Sequence, residues 1–186
     1  MAGMFWEQAI EAQDIALGNE QRCVKTAKTT SSMQRCQARM ESDLNESTKY
    51  RTQAIGVYKY IVKNHPDFKR LDEVLLQLGI NYLAKDQPDN ATQVFRAIIS
   101  RYPRSRVIPE VLLKLGEIYF DQGKVADASV FYKRITEAYA TSSNFGYAKY
   151  KLGWCSFNQQ DYRSALRHFI GVLNHSRKAR NSGRRI

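Results

Sequence analysis

Three cysteines and three histidines carry most of the reactive chemistry available to this chain. Cys23 and Cys36 lie almost symmetrically about residues 29–32, a Thr-Thr-Ser-Ser break between two helical stretches. Residues equidistant from the turn of a helical hairpin face each other, so the pair is placed to close a disulfide. Such a bond would indicate an oxidising compartment. The other reading is two ordinary helix residues in a reducing cytosol. Arg22, Gln34, Arg35 and Gln37 make the surroundings polar for cysteines used only as core. Cys155 falls among apolar helix residues and reads as a small buried side chain. His65, His168 and His175 have no cysteine or carboxylate at metal-site spacing. The glycines form no phosphate loop, and no Ser/His/Asp or Cys/His set stands out. The chain is therefore expected to be non-enzymatic, with no metal and no cofactor.

Charge points to a second kind of chemistry. The chain has 186 residues and a formal net charge of +11. Residues 1–47 are slightly acidic, whereas the last eleven residues hold Arg177, Lys178, Arg180, Arg184 and Arg185 and no acid. Residues 176–186 are expected to be a basic disordered tail. A tail of this kind could meet phosphates of nucleic acid or anionic lipid, but such tails are more often solvated ends, so nucleic acid is an unfavoured partner. No apolar run reaches the roughly 18–20 residues of a membrane span. No signal peptide is visible at Met1.

The elements that must position these residues repeat at a step of 37. Leu78-Gly79 recurs as Leu115-Gly116 and Leu152-Gly153. Ala54, Ala91, Ala128 and Ala165 share the step, as do Tyr58, Phe95, Tyr132 and Phe169. A fixed period of this length means stacked supersecondary units. Leu71, Val74, Leu75, Leu78 and Tyr82 make one apolar helical stripe. Asp86-Gln87-Pro88 breaks it, and Pro88 suits the first turn of the next helix. Tyr102-Pro103 stops that helix. The second unit is expected as helices from about 109 to 120 and 125 to 139, the third from about 144 to 157 and 162 to 173, with Asp161 as an N-cap. Mid-helix Gly79, Gly116 and Gly153 suggest close helix approach, with Ala91, Ala128 and Ala165 serving the same contact. Residues 1–47 do not follow the repeat. Phe5, Trp6, Ala9, Ile10, Gln13 and Leu17 predict an amphipathic helix ended by Gly18-Asn19, then a second helix over about 20–28, together capping the stack.

Leu75-x2-Leu78-Gly79-x2-Tyr82, followed by Ala91-x3-Phe95 and Pro103, resembles the tetratricopeptide repeat family. Leu112-x2-Leu115-Gly116-x2-Tyr119 with Ala128-x3-Tyr132 matches again. The third unit departs, with Lys149 and Ser156 in place of bulky residues. Residues 50–66 look like a second helix whose partner has diverged. The step exceeds the family's usual length of about 34 residues, the extra ones falling around Arg106-Val107-Ile108. Longer units with such a turn resemble the tetratricopeptide proteins of bacterial envelopes, of the kinds found in Tol-Pal, outer-membrane protein assembly and gliding machineries.

The resemblance implies an all-α, right-handed helical solenoid over residues 48–175 behind the cap of residues 1–47. It also implies a concave groove lined by the first helix of each unit. The groove set is Leu76, Ile80 and Leu83, then Leu113, Glu117 and Phe120, then Tyr147, Tyr150, Trp154 and Phe157. Aromatic anchors of this kind hold a partner's apolar side chains. Leu76, Ile80 and Leu113 stand where chaperone-binding members carry a carboxylate clamp, which argues against that type. The competing readings are that a further helix covers the aromatic set, or that some of these side chains pack as core between neighbouring first helices. The function implied is a protein–protein interaction scaffold for a partner peptide or helix, periplasmic or outer-membrane-associated, with a cytoplasmic location as the alternative. Self-association through an end helix, and electrostatic binding through the basic tail, are the competing readings.

Overall fold

The structure is a computed structural model that describes residues 2–26 and 28–181. Among these residues the fold is all-α, with eight helices and no strand. The chain divides into two compact units, Met1–Ala91 and Thr92–Ile186.

The first unit opens with a long hairpin. Helix α1 (Ala2–Thr26) packs along α2 (Thr30–Asn64). A capping box starts α2: the Thr29 hydroxyl accepts from the Ser32 amide, and the Ser32 hydroxyl accepts from the Thr29 amide. Both satisfy amides that the first helical turn leaves free. Ala9 and Ala12 are buried, so the helices approach closely. Polar bonds run along the seam. The Ser47 hydroxyl donates to the Ala9 carbonyl at 2.8 Å, Asn19 Nδ2 donates to Asp43 Oδ2 at 2.6 Å, and the buried Arg51 guanidinium donates to Gln13. Near the turn, a disulfide joins Cys23 to Cys36 across a Cα–Cα distance of 5.7 Å, well inside the usual span. Helix α3 (Leu71–Ala84) packs on α2; Lys85 Nζ donates to Thr52 Oγ1 at 2.6 Å, and Lys59 sits over the Tyr82 ring.

Two expectations fail in this unit. Gly18-Asn19 does not end a helix; α1 runs through both and on to Thr26. Asn19 is buried and bonded to Asp43 and Arg22, so a tertiary contact overrides its weak helix propensity. Nor do residues 20–28 start a separate helix, since α1 carries the chain unbroken to Thr26; after the turn, α2 is continuous through residues 47 and 48, and residues 50–64 are its C-terminal half. The side chains of Phe5 and Trp6 lie outside the described residues.

The second unit follows the repeat. After α4 (Pro88–Arg101), helices α5 (Ile108–Asp121), α6 (Val125–Ala138), α7 (Phe145–Asn158) and α8 (Tyr162–Asn181) each pack on the next from α5 onward. Ile108, Val111, Leu112 and Leu115 are fully buried with Ala128, Tyr132, Ile135 and Ala148. The glycines have the expected packing reason with a different partner. The Tyr132 ring lies over Gly116 and the Phe169 ring over Gly153, so closely that a methyl at either glycine would overlap the ring. The residue that meets the glycine is thus the aromatic one turn after Ala128 or Ala165.

The turn between paired helices also repeats. Asp86, Gly123 and Gln160, spaced at the repeat step, all take positive φ, at 55°, 74° and 64°. Asp161 then caps α8, its Oδ1 accepting from the Ser164 amide at 3.0 Å. The Ser164 hydroxyl first, and then this amide bond, hold the Asp161 carboxyl below its ordinary pKa. Helix α8 continues to Asn181, well past the expected end near 173, so residues 176–181 of the expected disordered tail are helical. Arg184 and Arg185 lie outside the described residues.

Candidate functional site

Helix α7 carries the exposed aromatic surface. Ala148, Leu152, Gly153 and Cys155 turn into the core. Helical periodicity then places Tyr147, Tyr150, Trp154 and Phe157 on the other face, where they are 46%, 40%, 39% and 49% exposed. They form a run of touching rings, with centroid distances of 6.1 Å from Tyr147 to Tyr150, 6.1 Å from Tyr150 to Trp154, and 5.7 Å from Trp154 to Phe157. Phe169 of α8 supports Tyr150 and Trp154 from beside the helix. Tyr162 extends the run beyond Phe157 at 5.5 Å.

The neighbouring helix α5 supplies a polar rim. Glu117 pairs with Lys114 at 3.0 Å. Burial first, and then the Glu117 carboxylate, raise the Tyr147 phenol above its ordinary pKa. Lys151 Nζ stands 3.9 Å over the Phe120 ring, a cation–π contact. Glu117 thus lies beside Tyr147 of α7, and Phe120 beneath Lys151.

Leu76 and Leu113 do not belong to an open surface. They are 4% and 8% exposed and are core. Their register position is Tyr150 in the third repeat, where the side chain is exposed. Ile80 and Leu83 of α3 are half-buried in the first unit. The sequence reading missed the outer face of α8, where Tyr162, Leu166, Ile170 and Leu173 are each 46–65% exposed. Their spacing of four, four and three is itself a helical stripe, legible within the helix already expected over about 162–173.

Cys155 is buried and free, its thiol pushed up to about 11 by burial; a thiol in that state is inert. Among the described residues no group of three or more His, Cys, Asp or Glu could hold a metal ion. No described helix is long and apolar enough to cross a membrane.

Residues 69–182 match the YfiO family, described as outer membrane lipoprotein. This chain belongs to the YfiO family. The match begins just before α3 and takes in every paired repeat that follows. No curated protein shows significant similarity to the chain. Among solved structures, the crystal structure of MamA aligns with a TM-score of 0.57 and 22% identity, over 71% of this chain and 72% of that one. At that identity the likeness shows the fold alone, which agrees with the tetratricopeptide-like helical repeat of this YfiO-family chain.

Proposed function

We propose that this YfiO-family chain is a non-catalytic scaffold in a bacterial envelope complex, and that the aromatic face of α7 holds an apolar segment of a partner protein. The supporting observation is the run Tyr147–Tyr150–Trp154–Phe157. Four large rings on one helix face keep about two fifths or more of their surface in water, a concentration that marks interaction sites rather than ordinary surface. The rim of Lys114, Glu117 and Lys151 supplies orientation through polar contacts. An amphipathic helix or a short extended peptide matches this pattern of apolar anchors and charged edge. Ile80 and Leu83 of the first unit stay in the proposal as further partner contacts; Leu76 and Leu113 do not. The Cys23–Cys36 disulfide fits an oxidising compartment such as the periplasm.

The test is photo-crosslinking in intact cells with a reactive amino acid at Tyr150 or Phe157, and at Lys63 as a control. Envelope proteins captured from the first two positions, and lost when Trp154→Ala is added to a chain of unchanged helicity, support the reading. Equal capture from Lys63, or capture indifferent to Trp154→Ala, overturns it.

A second reading has its own observation. The stripe Tyr162, Leu166, Ile170 and Leu173 on α8 suits packing against another copy of the chain. Light scattering that shows mass rising with concentration, abolished by Leu166→Glu, supports it; a constant monomer mass overturns it.

A further inference from the structure

In the second unit, α6, α7 and α8 border a cavity of about 650 Å³ that is open to solvent. Its wall holds Lys133 and Thr136 of α6, Lys149 of α7, and Ser164, Arg167 and His168 of α8. Three permanent cations, one imidazole and two hydroxyls thus converge from three helices.

The repeat register shows how unusual this is. One step earlier, Lys149 corresponds to Leu112, which is fully buried, and two steps earlier to Leu75, also buried. Arg167 and His168 correspond to Val130 and Phe131. The third repeat therefore keeps the backbone and replaces a core leucine by a half-buried lysine. Helix α8 also makes room for that lysine. Gly171 sits where a Cβ would overlap the Lys149 stem and lie 2.8 Å from its Nζ. A helix-interior glycine that opens a path for a cation works against local stability, and such local violations concentrate where function requires them.

Lys133 has an acidic partner in Glu137, but the other two cations form no ion pair among the described residues. Among the described residues no carboxylate lies within ion-pair distance of Lys149 or Arg167. Arg167 instead donates to the Ser164 hydroxyl at 2.8 Å, and Lys149 rests over the Phe145 ring at 5.5 Å. The acids nearby are Glu137, which spans 3.7 Å to Lys133 with both side chains largely in water, and Asp161, which caps α8 and acts on Arg167 and His168 only through space.

We propose that the cavity between α6, α7 and α8 is a binding site for a phosphate group, with Lys149 and Arg167 as its principal ligands. A phosphate monoester or diester offers several acceptor oxygens to donors arriving from different directions. A single carboxylate would leave most of these donors unused. The volume falls within the range of small-ligand pockets, about 300–1,000 Å³. The same chemistry is presented by a free phosphate monoester and by the headgroup of an anionic phospholipid.

Calorimetric titration of the full chain at low salt tests the proposal, using glycerol 3-phosphate as one probe. Vesicles of phosphatidylcholine with and without phosphatidylglycerol, followed by flotation, are the other. Millimolar or tighter binding of either probe is expected, weakened about ten- to a hundredfold by Arg167→Gln and lost in Lys149→Leu. The leucine variant restores the residue type of the earlier repeats, so its melting temperature should hold or rise while binding disappears. A lysine present only for structure would give the opposite. Binding of glycerol 3-phosphate alone assigns a free ligand, and binding of phosphatidylglycerol vesicles alone assigns a headgroup. No binding of either probe, or binding unchanged in both variants, overturns the proposal. Since the cavity shares no residue with the α7 aromatic face, loss of partner capture by Trp154→Ala and loss of phosphate by Lys149→Leu are separable results.

Discussion

The pairs α5–α6 and α7–α8 share one backbone plan and present opposite chemistry. Leu115, Gly116, Ala128 and Tyr132 in the first pair match Leu152, Gly153, Ala165 and Phe169 in the second, and in both an aromatic ring seats on the glycine. Around that shared frame, Leu112 becomes Lys149, Leu113 becomes Tyr150, Glu117 becomes Trp154 and Phe131 becomes His168. The frame is small because a helical pair needs only a few interlocking contacts to set its spacing. Everything outside it is free to vary, and in the second pair it varies toward surface aromatics and a cation-lined cavity.

The harshest way to break this comparison is to move the cation one repeat earlier. Leu112 is fully buried, so Leu112→Lys strands a charge without a partner and should remove about 3–5 kcal/mol of stability. Urea unfolding monitored by circular dichroism measures it. A loss under about 1 kcal/mol would mean the register position tolerates lysine generally, and Lys149 would then need no special explanation.

The shared frame is tested by Gly116→Ala and Gly153→Ala. Each added methyl meets a ring, Tyr132 or Phe169, and overpacking of this kind costs about 1–3 kcal/mol. The two losses should agree if the frame is common to both pairs. Gly18→Ala in α1 is the control: nothing lies within 4 Å of its Cβ position, so the same change should stabilise by about 0.5–1 kcal/mol. Thermal melts of the three variants decide the sign at each site.

A milder contrast lies in the turns. Gln160 holds the same left-handed conformation as Gly123, at φ 64° against 74°. A side chain there costs about 1–2 kcal/mol, part of which glycine returns as backbone entropy. Gln160→Gly should raise stability by about 0.5–1 kcal/mol, and Gly123→Gln should lower it by a similar amount. Equal and opposite changes in melting temperature would show that the turns are interchangeable.

These cases show which parts of the fold were legible in the sequence. The repeat frame was, because period 37 puts Leu-Gly and Ala-aromatic pairs in register, and a shared register leaves little freedom in how the helices pack. The N-terminal hairpin was legible only in part. The Cys23–Cys36 pairing followed from symmetry about the turn, but the passage of α1 through Gly18-Asn19 depends on a bond from Asn19 to Asp43, far along the chain. The aromatic face could be named residue by residue on α7, whereas Leu76 and Leu113 could not be separated from it. Their type and spacing are the same whether a neighbouring helix covers them or not. The cation cavity was visible only as a departure at Lys149, because it takes three helices to bring Lys133, Arg167 and His168 beside it.

The smallest expected effect concerns His168, whose counterpart Phe131 cannot titrate. Burial first, then Lys149 and Arg167, lower its pKa below the ordinary imidazole value, opposed only by Asp161. Lys133 and Glu137 of α6 are the remaining charges at that cavity. A histidine with a depressed folded pKa binds protons more readily when unfolded, so its contribution favours the folded state at neutral pH. That contribution is fully present above the unfolded value near 6.5 and is lost as pH falls from there through the folded value. His168→Phe, which copies the second repeat, should therefore flatten the stability profile on acidification below about pH 6.5 while leaving the neutral-pH value nearly unchanged. Phosphate in the cavity should act in the opposite direction by favouring the protonated ring. Added glycerol 3-phosphate would then reduce the loss on acidification in the parent chain and have no such effect in His168→Phe. A parent profile that keeps its slope after His168→Phe would place the titrating group elsewhere and remove His168 from the contrast between the two pairs.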